Sequence, residues 1–98
     1  MPDVTVVYWR DIPAQVLIGK GRRAAKMPLS ERFEQAIDRA AMRSGAAGTD
    51  AYLAEWRKAP DDPIDGPDDT AATRAAHRIE DSYDTARLKR LIDNNGWA

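Results

Sequence analysis

The sequence predicts an α+β domain in which an N-terminal antiparallel β-hairpin is covered by three to four α-helices. Two observations predict this class: runs rich in β-branched and aromatic residues stand near the N-terminus, and apolar residues at helical spacing follow them. The 98 residues suffice for one hydrophobic core, so we expect a single domain over residues 1–98. Within it we expect a hairpin-and-helix part at 1–58, an Asp/Pro-rich loop at 59–69 and a helical region at 70–95.

The predicted hairpin pairs residues 3–10 with residues 14–19. Both segments contain β-branched side chains, and the first also contains Tyr8 and Trp9; these residue types favour strands. The sequence between them, Asp-Ile-Pro-Ala at 11–14, favours a turn, because proline cannot donate a hydrogen bond to a strand ladder. Two strands alone are marginally stable, so helices must cover them.

The first predicted helix begins at Ser30, whose hydroxyl is expected to cap it, and ends at Gly45. Its apolar residues fall on one stripe at helical spacing. They are Leu29, Phe33, Ile37, Ala40 and Ala41.

Residues 51–58 allow two interpretations, a short helix or a third strand. Alanine, leucine, glutamate and lysine in this segment favour the helix. Tyr52 and Trp56 also suit a strand, so the third strand stays an open alternative.

The segment 59–69 contains three prolines, one glycine, five aspartates and no basic residue. Repulsion between the aspartates and the loss of proline N–H donors predict an irregular, mobile spacer. The alternative is that this loop docks onto the basic residues 20–26. The helical region that follows is expected to break near 82–84, with Asp84 as the N-cap of its second half.

The predicted core combines the hairpin with the first two helical segments. Trp9 and Trp56 are also expected to be core residues. The main predicted core residues are Val6, Tyr8, Val16, Ile18, Phe33, Ile37, Ala40 and Leu53.

Several functional classes have little support in the composition. No cysteine is present, which excludes disulfides and cysteine-ligated metal sites, and the only histidine is His77. The aspartate loop lacks the pattern of a calcium loop, because a proline and an alanine stand where ligands are required. The N-terminus does not resemble a secretory signal, and no apolar run is long enough to span a bilayer, so we expect a cytoplasmic protein without cofactor or metal.

One basic segment is a candidate site for an anion or an acidic partner. Lys20, Arg22, Arg23 and Lys26 are close in sequence, and Arg10 is expected nearby across the hairpin. Two glycines in the segment allow the backbone to approach an anion closely. The alternative is a solvated connector, and the pI of about 5.8 disfavours a dedicated nucleic-acid binder.

Two segments carry a family resemblance: Val-Tyr-Trp-Arg-Asp-Ile-Pro-Ala-Gln-Val at 7–16 and Arg-Phe-Glu-Gln-Ala-Ile-Asp-Arg-Ala-Ala-Met at 32–42. They resemble the small bacterial virulence factor family, which is itself similar to the N-terminal part of conserved virulence factor C proteins. The resemblance covers residues 4 to about 58. It implies an accessory or interaction role and no catalytic residue. It also associates stand-alone members with proteins of one-carbon and corrinoid methyl transfer.

The leading functional hypothesis is therefore a non-catalytic interaction or accessory domain that binds another protein. Three tryptophans in a small chain support it, because tryptophan is frequent at interface hot spots. The alternative is a small-anion or nucleotide-phosphate binding module, or a small enzyme, that uses residues 20–26. Neither nucleic acid nor a membrane is expected as a partner.

Overall fold

The computed structural model describes residues 3–19 and 24–98, without the side chains of Asp68 and Asp69. These residues contain strands and helices in mixed order, which confirms the predicted α+β class. The elements are β1 (Val4–Trp9), β2 (Ile12–Ile18), β3 (Ala25–Pro28), α1 (Glu31–Ser44), α2 (Asp50–Ala54), β4 (Trp56–Asp61), α3 (Asp68–Ser82) and α4 (Thr85–Asp93).

The four strands form one antiparallel sheet in the order β3-β2-β1-β4. Its central pair, β1 and β2, is the predicted hairpin, in which Val6 lies opposite Val16. β3 pairs with β2, and β4 pairs with β1. The hairpin is thus the centre of the sheet, and the two later strands are its edges.

The hairpin turn is shorter than the predicted turn at 11–14. Trp9 pairs with Ile12, so only Arg10 and Asp11 connect the strands. Arg10 has a φ of 55°, a left-handed conformation at the first turn position that suits a tight hairpin. The residues that follow belong to β2. The register of the β1–β2 pairing shifts between Val7 and Tyr8, and a bulge at residue 14 of β2 accommodates this shift. The side chain of Pro13, next to the bulge, is fully buried.

The edge strands correct two predictions. β3 lies in the segment predicted to be a connector, and the helix predicted for 51–58 ends at Ala54. β4 then takes up residues predicted to be helix and loop, including Pro60 opposite Thr5. Proline is tolerated there because an edge strand needs only one of its two hydrogen-bonding sides.

The acidic loop is therefore shorter than 59–69, with irregular structure from residue 62 to residue 67. The predicted repulsion between aspartates is reduced by α3: Nη2 of Arg78 lies 2.9 Å from Oδ2 of Asp61 and donates to the carbonyl of Asp62. Ile64 is buried and anchors the loop. The docking alternative involves residues 20–23, which lie outside the described part of the chain, and the mobility of the loop stays a prediction.

Helices α1 and α3 cover β2, and α3 also covers β3. The α3 residues that face the sheet are mostly alanines, which allow the helix to approach closely. Phe33 and Ile37 of α1 are buried, which confirms the predicted stripe. The buried α3 residues are Ala71, Ala72, Ala75, Ala76 and Ile79.

Two predicted core residues, Leu53 and Trp56, are exposed instead, and a third, Tyr8, is only partly buried. Leu53 is 70% exposed because α2 is a single short turn that presents this side chain to solvent. Trp56 is 37% exposed, whereas Trp9 is fully buried as predicted. Tyr8 packs against the core but is only half-buried.

The start of α1 is capped differently from the prediction. The Ser30 hydroxyl makes no cap hydrogen bond within α1; it donates to Oε1 of Glu80, at 2.8 Å. The Ser30 N–H donates to Oε2 of the same carboxylate, also at 2.8 Å. Glu80 of α3 thus holds the residue that precedes α1, and joins the two helices.

The predicted end of α1 and the predicted break before α4 are confirmed, whereas α3 begins at Asp68, two residues before the predicted start at residue 70. Gly45 ends α1 with a φ of 78°, the left-handed conformation that glycine adopts readily. α3 ends at Ser82, and the Asp84 side chain accepts a hydrogen bond from the N–H of Arg87 at 2.8 Å. This cap starts α4 and explains the change of apolar face between the two helices.

Candidate functional site

A groove of about 390 Å³ lies where the sheet meets α1 and α2. Strand alternation places Val7 and Gln15, which lie opposite each other, on the face that α3 does not cover. α1 forms one wall of the groove, and α2 with the start of β4 forms the other. We call it the aromatic groove; it is lined by Val7, Ala14, Gln15, Pro28, Leu29, Glu34, Ile37, Asp38, Tyr52 and Trp56.

Two aromatic rings, Tyr52 and Trp56, line one wall of the aromatic groove, and the buried Trp9 supports them from behind. The Trp9 indole N–H donates to the carbonyl of Tyr52 at 2.9 Å, and the two ring centroids are 5.8 Å apart. Tyr52 in turn meets Trp56 edge to face, with centroids 6.0 Å apart. Because Trp9 is fully buried, this series of contacts connects the exposed Trp56 rigidly to the core.

The opposite wall is acidic. Glu34 and Asp38 are four residues apart on α1, so their carboxylates lie on the same side of the helix. Burial raises the pKa of the Tyr52 hydroxyl, and the negative charges of Asp38 and Glu34 raise it further. No basic residue lines the groove in the described part of the chain. The groove is therefore apolar and aromatic, with a rim that attracts positive charge.

A second, smaller cleft of about 270 Å³ continues this surface, since it shares Asp38 and Tyr52 with the groove. Met42 lines the cleft and is 65% exposed. Leu53, next to Tyr52 on α2, is exposed as well. Large exposed apolar side chains thus concentrate on one side of the protein, a property typical of interaction surfaces.

The basic residues predicted from sequence are not assembled into one site by the described residues. Lys20, Arg22 and Arg23 lie outside the described part. Lys26 is exposed in β3 opposite Leu17, five positions along β2 from the turn that holds Arg10. At about 3.4 Å per residue, this places the two backbones roughly 17 Å apart along the sheet.

Arg10 is also occupied within the protein. Its guanidinium carbon lies 4.6 Å from the Trp9 ring centroid and 5.2 Å from that of Trp97. Its Nη1 donates to the carbonyl of Asn95 at 2.6 Å. These contacts connect the hairpin turn to the C-terminal segment, and anion binding by Arg10 stays a prediction.

Sequence reasoning did not find the residues of the aromatic groove. Trp56 was expected in the core, and Asp38 does not belong to the apolar stripe predicted for α1. One signal was readable in the sequence, the spacing of Glu34 and Asp38 on one helix face. That this face meets Tyr52 depends on packing between segments that are distant in the sequence.

The described residues contain no group of three or more histidine, cysteine, aspartate or glutamate side chains placed to hold a metal ion. His77 is exposed on α3. None of the described helices combines the length and the apolar character needed to cross a membrane.

Comparison with known families decides where the chain belongs. The sequence profile described as "Virulence factor" matches residues 7–92. The chain belongs to the virulence-factor family. The resemblance inferred from the sequence segments ended at about residue 58. The profile match extends well past it and includes β4, α3 and most of α4. No curated protein and no solved structure matches the chain.

Every residue that lines the aromatic groove falls inside the region matched by the virulence-factor profile. The groove is therefore built from the family domain itself. The same is true of Met42 and Leu53 beside it.

Proposed function

We propose that this virulence-factor domain is a non-catalytic interaction domain that binds a segment of another protein in the aromatic groove. The observation that carries the proposal is the exposed apolar surface around the groove. Leu53 and Met42 are exposed by 70% and 65%, and Trp56 by 37%. Exposed apolar groups that adjoin a groove favour association, because binding removes them from water.

The charges of the groove select the chemistry of the partner. Glu34 and Asp38 line one wall, and no described residue of the groove neutralises them. We therefore expect a partner segment in which a lysine or arginine stands next to an apolar side chain. The apolar side chain would pack on Tyr52 and Trp56, and the cation would meet the carboxylates.

The edge strands of the sheet favour binding of the partner in the aromatic groove over the addition of a partner strand to the sheet. β3 is short and ends in Pro28, and β4 contains Lys58 and Pro60. Proline and lysine on an edge strand oppose pairing with another chain, because proline lacks an N–H and lysine resists desolvation. The open groove is the better docking surface.

The test places a photoreactive phenylalanine analogue at position 53 and illuminates the protein in native lysate. A second protein carries the analogue at position 77, on the exposed side of α3, as the matched control. We expect cross-links from position 53, but not from position 77, to one protein segment that contains basic and apolar residues. A synthetic peptide of that segment should then shift the NMR signals of Tyr52 and Trp56.

Variants of the groove should weaken binding of this peptide. Trp56→Ala is expected to lower its affinity about 30-fold, the effect of losing a typical hot spot of about 2 kcal/mol. Asp38→Lys should weaken it as well, whereas Glu31→Lys, an equal change of charge on α1 outside the groove, should not. The proposal is wrong if cross-links arise equally from both positions, or if Trp56→Ala and Asp38→Lys leave peptide affinity unchanged.

A further inference from the structure

A second cavity, independent of the aromatic groove, lies between the sheet, the end of α3 and α4. Its volume is about 210 Å³, and two tyrosines and two arginines line it. The guanidinium carbon of Arg57 lies 4.5 Å from the Tyr8 ring centroid, and that of Arg87 lies 3.8 Å from the Tyr83 ring centroid. We call it the Tyr–Arg cavity. Each arginine is held against a tyrosine, which limits the freedom of both cations.

Both arginines keep hydrogen-bond donors without an acceptor among the described residues. Arg57 uses Nε for the carbonyl of Arg10, at 3.0 Å, and Nη2 for Oδ1 of Asp11, at 2.9 Å. Its Nη1 is left for a ligand. Arg87 uses Nη1 for the carbonyl of Ser82, at 2.9 Å, which leaves its Nε and Nη2.

The positive charge that the Tyr–Arg cavity offers a ligand is that of Arg87. Asp11 and Ala98 also line the cavity, and the Asp11 carboxylate is paired with Arg57 and accepts a hydrogen bond from the N–H of Ala98 at 2.7 Å. Arg87 has no acidic partner within the described part of the chain. Arg90 adds a further positive charge in an adjoining cavity of about 420 Å³, which shares Arg87 with the first.

The two phenols supply neutral donors. Burial raises the pKa of Tyr8, and proximity to Tyr83 and Asp61 raises it further; the charge of Arg57 lowers it, but the pKa stays above its ordinary value, so the Tyr8 hydroxyl keeps its proton at neutral pH. Tyr83 lines the same cavity and brings a second phenol hydroxyl that can donate to a ligand.

We infer that the Tyr–Arg cavity binds the phosphate group of a small molecule, with Arg57 and Arg87 on its oxygens and the Tyr83 hydroxyl completing the contacts. Planar guanidinium groups with several donors suit phosphate oxygens. A carboxylate has only two oxygens and fewer positions for these donors. The organic part of a phosphate ester would extend into the adjoining cavity, where Trp97 offers an exposed ring.

The inference is tested by titrating the ¹⁵N-labelled protein with inorganic phosphate, AMP, adenosine and acetate. The arginine Nε–H signals and the backbone amides report the location of binding. We expect saturable shifts at Arg57 and Arg87 with phosphate and with AMP, and none with adenosine or acetate at equal ionic strength. Tighter binding of AMP than of inorganic phosphate identifies a phosphate ester as the ligand class, and equal affinity identifies free phosphate.

Substitution of Arg87 provides the decisive comparison. Arg87→Gln is expected to lower phosphate affinity about 10- to 100-fold, as for loss of a hydrogen bond to a charged group. The matched control is Arg39→Gln, which removes the same charge from an exposed position of α1 that does not line the cavity. Thermal unfolding should show that both variants are folded at the temperature of the titration; Arg87→Gln loses the contacts of Arg87 with Tyr83 and the Ser82 carbonyl, so a modest fall in its Tm is expected.

Three results would overturn the inference: no saturable shift at millimolar phosphate or AMP, equal affinity of Arg87→Gln and the unmodified protein, or shifts centred on residues 19–26. The last result would assign anion binding to the basic segment instead. Since Trp56 and Asp38 do not line the Tyr–Arg cavity, failure here leaves the proposed protein-binding groove unaffected.

Discussion

Replacement of Glu80 by glutamine is expected to loosen the contact between α1 and α3. The Glu80 carboxylate accepts the N–H and the hydroxyl of Ser30, both at 2.8 Å, and the Nε and Nη2 of Arg32 at 3.2 and 3.0 Å. Arg32 also donates to the carbonyls of Glu80 and Tyr83. One carboxylate thus serves as the cap of α1 and as the partner of its first arginine.

The magnitude follows from these two roles. The Arg32 and Glu80 side chains are 35% and 24% exposed, so their ion pair is largely screened and contributes up to about 1 kcal/mol. Glutamine keeps only one of the two oxygens that Ser30 uses, and weakening of a helix N-cap costs roughly 0.5–2 kcal/mol. Together they predict that Glu80→Gln lowers the free energy of unfolding by about 2 kcal/mol, which corresponds to a fall in Tm of roughly 10 °C for a domain of this size.

The assay is chemical denaturation of Glu80→Gln, Arg32→Gln and the double variant. We expect the double variant to be about 1 kcal/mol more stable than the sum of the single effects predicts, because the first substitution already breaks the pair. Glu31→Gln removes an exposed charge from the first turn of α1 and should change stability by less than about 0.5 kcal/mol. Strict additivity, or an equal effect of Glu31→Gln, would refute the role assigned to Glu80.

The same carboxylate predicts a pH dependence. Burial raises the pKa of Glu80, but hydrogen bonds from the Ser30 backbone and hydroxyl and from Arg32, together with the Arg32 charge, outweigh it and leave the pKa below its ordinary value of 4.5. A lowered pKa in the folded state stabilises the protein above 4.5, and this contribution is lost as the pH falls through the folded-state pKa. Denaturation of Glu80→Gln should therefore depend less steeply on pH in that acidic range than denaturation of the unmodified protein.

Two further substitutions test the packing. Phe33→Ala is expected to cost about 3–5 kcal/mol in denaturation experiments, because Phe33 is 1% exposed; a cost below about 1 kcal/mol would show that it is not a core residue. Gly96→Ala is expected to destabilise the protein more than Gly66→Ala: both glycines have positive φ, of 94° and 115°, but only at Gly96 would the added Cβ come 2.9 Å from the Trp9 ring. Equal melting temperatures of the two glycine variants would contradict this packing of the C-terminal segment against Trp9.

The elements that sequence predicted well are those whose signals are local. The hairpin strands carry their own β-branched and aromatic residues, and α1 carries an apolar stripe that ends at a glycine. The break before α4 was readable because Asp84 caps the helix three residues ahead of its hydrogen-bond partner, Arg87. In each case the decisive interactions join residues that are close in the sequence.

β4 shows why other elements were not predicted. Arg57, Lys58 and Pro60 are poor strand formers, and helix was favoured over the open alternative of a third strand for residues 51–58, with a loop expected from residue 59. It becomes a strand because β1 offers it a complete row of hydrogen-bonding partners, from Val4 opposite Asp61 onward. This gain depends on β1, about 50 residues earlier in the chain, and no local pattern reports it.

Neither candidate site could be located from the sequence, and the physical reason is the same for both. The residue types were visible in the sequence: tyrosine, tryptophan, paired carboxylates on α1 and arginines in the C-terminal half. Their positions were not, because Tyr52 reaches Trp9 and Arg87 reaches the cavity beside Tyr8 only after the sheet and helices assemble. Local propensity and periodicity determined the class of the fold and its central elements, whereas packing between distant segments decided the sheet edges, the cap of α1 and the surfaces available for binding.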